Sequence, residues 1–224
     1  MGNRKTPFVQ KEYYHIFNRG VDKRHIFMDK YDALRFLQSM EEFNNVESGN
    51  DIFLINKSKK IRKVGGWTAN FSGDKRRLVN IICYCLNPNH YHFILEQLVE
   101  GGISEFMKRL NGGYTWYINN KYERSGALFQ GKFKAVHIET NEQLLYASAY
   151  VNLNNKVHPK FEKFGKHFLD SIPNRSSWDE YTNKNSKYNL CEKGIILGQY
   201  TDINNYKKIS EGIAKNINEK RYGD

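Results

Sequence analysis

The stretch VNIICYCLNPNHYHFILEQ, residues 79–97, decides how this chain folds. Val79 to Leu86 is an unbroken apolar run, the pattern of a central strand covered on both faces. Asn87-Pro88-Asn89 is turn chemistry, and a second strand is predicted at once over 90–97, so the two form a hairpin. Side chains alternate along a strand. Tyr91, Phe93 and Leu95 therefore face the core together, and His90 and His92 share the opposite face. Two imidazoles on one strand face are a ready pair of nitrogen ligands for a divalent metal. The same spacing also suits two solvent-facing histidines beside a turn.

Working outward, residues 12–18 (EYYHIFN) read as a strand. An amphipathic helix is predicted over 29–44, with Ala33, Leu37 and Met40 on its apolar stripe and Asp29 as N-cap. Residues 45–77 are polar, basic and glycine-bearing, and read as an inserted hairpin or mobile loop. Gly101-Gly102 breaks the chain before a long helix over 103–121, whose stripe includes Ile103, Phe106, Met107, Leu110 and Tyr114. Residues 132–139 alternate like a strand. Thr140 and Gln143 form a capping box for a helix over 141–154. The expected class is α+β: a ferredoxin-like antiparallel sheet in the order β-α-β-β-α-β, with an added C-terminal tyrosine-bearing helix. Residues 1–154 would form the main domain, and 155–224 a polar extension with helical signal near 203–220.

Bulk composition narrows the partners. Thirty-five Lys and Arg against 24 Asp and Glu give a formal charge of +11, which suits a polyanion. The 15 Tyr and 14 Phe include rings able to stack on unpaired bases. Cys83, Cys85 and Cys191 are too few and too odd in number for a disulfide scaffold. Cys83 and Cys85 read as buried strand residues, not as a zinc knuckle. No apolar run approaches the roughly 20 residues that span a bilayer, and the first 15 residues lack a signal core. A cytoplasmic protein without a membrane partner is expected.

A histidine pair leaves a metal under-coordinated. On the last predicted helix Tyr146, Tyr150 and Asn154 recur at every fourth position and share a face. Asn154 supplies an oxygen and Tyr150 a phenol; the alternative is an aromatic stripe that packs the helix down. Residues 126–133, GALFQGKF, imitate a phosphate-binding loop. Phe133 stands where a hydroxyl is needed and a strand follows, so nucleotide hydrolysis is rejected.

The run from Cys85 to Leu95 resembles the signature of the IS200-like Y1 transposases, whose His-hydrophobe-His core is the HUH motif. Tyr14 to Val21 is similar to that family's first strand, Gly126 to Phe133 to the segment before its last strand, and Tyr150 to Asn155 to its tyrosine helix. Ser176-Ser177-Trp178 to Tyr181 resembles the subgroup associated with repetitive extragenic palindromes. Asn87 departs from the family's usual Met, and Asn155 from that subgroup's usual Pro; neither position is expected to touch the chemistry.

The resemblance implies His90, His92 and Asn154 as ligands of a divalent metal, Mg or Mn, and Tyr150 as nucleophile. It implies cleavage and rejoining of single-stranded DNA through a 5′-phosphotyrosine, at hairpins or imperfect palindromes, by a monomer or a homodimer. Expected DNA contacts are Arg19, Lys23, Arg24, Lys108, Arg109, Lys132 and Lys134, with Gln130 of the GALFQGKF segment. Rival readings are a replication initiator or relaxase with the same chemistry, and a domesticated hairpin-binding protein that does not cleave.

Overall fold

The computed structural model describes residues 7–47, 76–157, 172, 174–186 and 189–222. Most of the expected 45–77 insertion lies outside the described residues. Four strands, β1 (Tyr13–Arg19), β2 (Val79–Asn87), β3 (His90–Gln97) and β4 (Lys134–Ile138), form one antiparallel sheet in the order β2-β3-β1-β4. Helices α1 (Lys30–Glu42) and α2 (Gly102–Lys121) join β1 to β2 and β3 to β4. The β-α-β-β-α-β order and the ferredoxin-like sheet are those expected.

The expected start signals operate. Asp29 accepts from the backbone N–H of Tyr31 and Asp32, and Asp32 reciprocates, closing a capping box on α1. At the start of α2, Gly101 adopts a left-handed φ of 66°, and a Cβ on Gly102 would stand 2.3 Å from the Leu78 carbonyl. The pair therefore ends one element and lets the next press against β2.

Helices α1 and α2 cover one sheet face. Phe36 of α1 packs on Tyr91 and Phe93, with ring centroids 5.4 and 6.3 Å away. Tyr114 of α2 meets Phe36 edge-on at 4.9 Å, and Tyr91 Oη donates to Asn111 Oδ1 of α2 at 2.7 Å. Burying each such ring contributes roughly 1.5–3 kcal/mol. Since Tyr91 and Phe93 point here, His90 and His92 must point to the other face.

That other face carries α3 (Asn141–Asn152) and the short α4 (Asn154–Val157), and the long α7 (Ile203–Tyr222) packs against both helices. Thr140 and Gln143 form the expected capping box of α3. The predicted 141–154 helix ends earlier, at Asn152. Leu153 turns out of helical geometry (φ −106°, ψ 13°), while Asn152 is engaged sideways by Tyr206 of α7 and by Ser177. Ala214 and Ile217 of α7 then fill against Leu153 and Val157.

Arg175, Ser177 and Glu192 pair with the open edge of β2. Leu86 N–H donates to Arg175 O at 2.7 Å, Ser177 N–H to Tyr84 O at 3.0 Å, and Glu192 N–H to Ile81 O at 2.8 Å. This satisfies backbone groups that an exposed edge would leave unpaired. The helices α5 (Trp178–Thr182) and α6 (Gly194–Leu197) follow, and Tyr181 of α5 is fully buried, donating to Ile82 O at 2.8 Å. The 155–224 region thus contributes Tyr181, Cys191, Ile196 and Tyr206 to the main core. Among the described residues no helix is long and apolar enough to cross a membrane.

Ser177 joins three elements: its fully buried hydroxyl accepts from Tyr84 N–H at 2.8 Å and bonds the Asn152 side chain. Ser177→Ala should lower the unfolding free energy by about 1–3 kcal/mol, because buried partners on β2 and α3 are left unpaired. Chemical denaturation monitored by circular dichroism checks this; an unchanged midpoint would contradict it.

Candidate active site

Pairing across the sheet gathers polar side chains on the α3 face. His92 lies opposite Phe17 of β1 and Cys85 of β2; His90 lies opposite Arg19 and Asn87. Lys134 of β4 lies opposite Phe17. A cleft of about 700 Å³ opens here, lined by Phe17, Asn18, Arg19, Lys23, Asn89, His90, His92, Gln130 and Lys134.

The two histidines stand edge to face, with centroids 5.2 Å apart. His90 Nδ1 lies 2.7 Å from Asn89 Oδ1, and its Nε2 faces Asn154 Oδ1 at 3.4 Å. Asn154 is wholly buried; its Oδ1 accepts from Asn87 Nδ2 at 2.9 Å, while its Nδ2 has no hydrogen-bond partner. The helix break at Leu153, not a continuous helical face, carries this amide to the histidines.

Tyr150, half-buried on α3, meets His92 and His15 edge-on with centroids at 5.7 and 5.9 Å. The Arg221 guanidinium of α7 lies over the same ring at 5.6 Å. His90, His92, Asn154 and Tyr150 therefore converge within one chain. Tyr146 is 52% exposed on α3, so it neither packs the helix down nor enters the site.

Can these residues hold a metal ion? Among the described residues, no group of three His, Cys, Asp or Glu side chains could do so. An ion here would need an amide oxygen beside the imidazoles. Two donors each about 2.1 Å from one small divalent ion stand roughly 3.0–3.4 Å apart for octahedral or tetrahedral angles. The 3.4 Å between His90 Nε2 and Asn154 Oδ1 matches that span and is long for a hydrogen bond. The donor set of two imidazoles and an amide oxygen fits a divalent ion.

The basic residues divide. Arg19, Lys23, Gln130 and Lys134 line the cleft, and Arg19 Nε donates to Gln130 Oε1. Lys132 is exposed just before β4. Arg24 lies beyond the cleft lining, donating to Val21 O and pairing with Asp22 at 3.4 Å. Lys108 and Arg109 are on α2, with the sheet between them and the histidines. Arg109 donates to Glu105 at 2.7 Å and to Asn45 O at 2.6 Å, and Lys108 lies 3.7 Å from Glu105.

Three residues of the site escaped the sequence reading. Asn87, expected not to touch the chemistry, donates to the proposed ligand oxygen of Asn154. His15 lies with Nε2 2.8 Å from His92 Nδ1. Arg221 arrives from the far end of the chain. Only His15 left a signal: it alternates in β1 with Phe17 and Arg19.

A sequence model of the family described as "Transposase IS200 like" matches residues 72–154. The IS200-like resemblance holds over this segment. It runs from before β2 through Asn154, so it includes both histidines and Tyr150. In fold, the chain is similar to a solved structure described as "the REP associates tyrosine transposase bound to a REP hairpin". The identity is 13%, the TM-score 0.50, and the match covers 85% of this chain and 90% of that one. At that identity the likeness is one of fold. No curated protein matches the chain.

Burial among these rings pushes the His15 imidazole down to about 4, because desolvation disfavours its charged form. The unfolded chain, with an ordinary histidine near 6.5, then binds the proton more readily. Stability from this group is complete above pH 6.5 and is lost as pH falls toward 4, by roughly 2–3 kcal/mol. Denaturant unfolding of wild type and His15→Gln between pH 7 and 4 should show a shallower loss in the variant; parallel curves would contradict this origin.

Proposed function

We propose that this protein is a metal-dependent HUH-type transposase that cuts and rejoins single-stranded DNA at hairpin-associated sites, with Tyr150 as nucleophile. The observation that carries the reading is the convergence of Tyr150, His90, His92 and Asn154 beside a cleft rimmed by Arg19, Lys23 and Lys134. The similar fold solved on a REP hairpin supports the choice of substrate.

His90, His92 and Asn154 would hold Mg or Mn; when bound, the ion supplies Lewis acidity at the scissile phosphate, worth several kcal/mol. The chain's own residues do the rest. Arg19, Lys23 and Lys134 hold the strand by its phosphates. Phe17, between His92 and Lys134 on the sheet, offers an apolar face to an unpaired base. Tyr150 Oη forms a bond to phosphorus, its proton passing to solvent. The bond from phosphorus to the 3′ oxygen breaks, and that oxygen takes a proton to leave as a hydroxyl. The resulting 5′-phosphotyrosine conserves bond energy, so a 3′-hydroxyl can reverse the step and join strands without ATP. Arg221, above the Tyr150 ring, supplies positive charge where the phosphate must approach.

Incubation with single-stranded hairpin oligonucleotides and manganese should give a denaturation-resistant protein–DNA adduct. Tyr150→Phe should abolish it, Tyr146→Phe should retain it, and His90→Ala or His92→Ala should cut its formation on the order of 100-fold or more. An adduct that survives Tyr150→Phe refutes the assignment. Tight hairpin binding without any adduct would favour the non-cleaving binder.

A further inference from the structure

We propose that His15 is a positioning residue: it accepts the Nδ1 proton of His92 and so leaves Nε2 of His92 with the lone pair that ligates the ion. This rests on the metal reading given above for His90, His92 and Asn154. The two rings stack at 5.1 Å and 20°, with His15 Nε2 2.8 Å from His92 Nδ1. The contact is diagonal: β3 places Ile94 opposite His15 and His92 opposite Phe17. Same-face neighbours two residues out of register are within reach of long or cyclic side chains. Phe17 flanks both rings, at 5.1 Å from His15 and 5.6 Å from His92. The edge of Tyr150 closes over the pair.

A short nitrogen–nitrogen contact between neutral imidazoles holds one proton. If His15 carried it, His92 would accept at Nδ1 and be protonated on Nε2, losing that nitrogen as a ligand. If His92 carries it, the tautomer and the ring orientation are fixed together. Metal-binding histidines usually donate their second N–H to a carboxylate, a carbonyl or water. An imidazole acceptor orients the ring without adding negative charge, which leaves the ion's charge to act on the phosphate. The same side chain touches Tyr150, so ligand and nucleophile are set against one common ring.

The first test needs no metal and no variant. Long-range proton–nitrogen correlation spectra of the imidazole rings in the full-length protein should show His92 protonated at Nδ1. Protonation at Nε2 would overturn the proposal. The second test is manganese titration followed by the electron spin resonance of the free ion. His15→Leu should weaken binding roughly 10–100-fold, and His15→Gln, whose side-chain oxygen can accept from Nδ1, should recover most of it. His15→Leu binding as tightly as wild type, with binding lost in His92→Ala, would overturn the positioning role alone. A glutamine variant no better than leucine would reduce His15 to packing and overturn it too. Manganese binding that His92→Ala leaves unchanged would overturn the metal reading and this proposal together.

Discussion

The register of β3 is the constraint on which everything else depends. Two residues, Pro88 and Asn89, connect it to β2, and both neighbours of β3 in the sheet hold it to one alignment. A slip of one residue would turn Tyr91 and Phe93 toward the cleft and press both histidines into the aromatic core. The apolar contacts of Phe36 and Tyr114 thereby hold His90 and His92 in place, although they never touch them. Core packing and site geometry are one problem solved by one strand.

The sheet divides labour between its faces. One face is covered by α1 and α2 and is buried. The other carries β1 and β3 side chains that alternate into the cleft and is only partly roofed, by α3. What fixes α3 is the part of the chain that looked like an extension. Ser177 and Tyr206 bond Asn152, while Ala214 and Ile217 pack under Leu153 and Val157. These contacts flank the break that sends Asn154 toward His90 and hold Tyr150 against His92. The position of Tyr150 is thus set by residues far along the chain, Ser177, Tyr206, Ala214 and Ile217 among them.

The fold was legible because its signals are local. The apolar run 79–86, the Asn-Pro-Asn turn, the Asp29 and Thr140 caps and the paired glycines each act over a few residues, and each appears where its chemistry predicts. The histidine pair was legible because strand alternation is strict. What stayed hidden is non-local. His15 becomes a partner of His92 only once the β1–β3 register is known. Asn87 closes an apolar strand, and nothing nearby marks it as a neighbour of Asn154. Arg221 depends on how α7 docks. Lys108 and Arg109 were expected as DNA contacts on the long helix; the crossover that puts α2 on the face away from the histidines has no signature at those two positions. The helix break at Leu153 arises from side chains far away in sequence, so helical periodicity alone extended α3 two residues too far.

If one chain brings its tyrosine and histidine pair to a single reactive centre, the DNA must end up covalently attached to that tyrosine. After reaction with a hairpin oligonucleotide and manganese, nuclease and trypsin digestion should leave a nucleotide on the peptide spanning Ala135 to Lys156, which contains both Tyr146 and Tyr150. Fragmentation by mass spectrometry should place a 5′-phosphoryl group on Tyr150. A nucleotide on Tyr146, or on any residue outside this peptide, would rule out Tyr150 as the nucleophile.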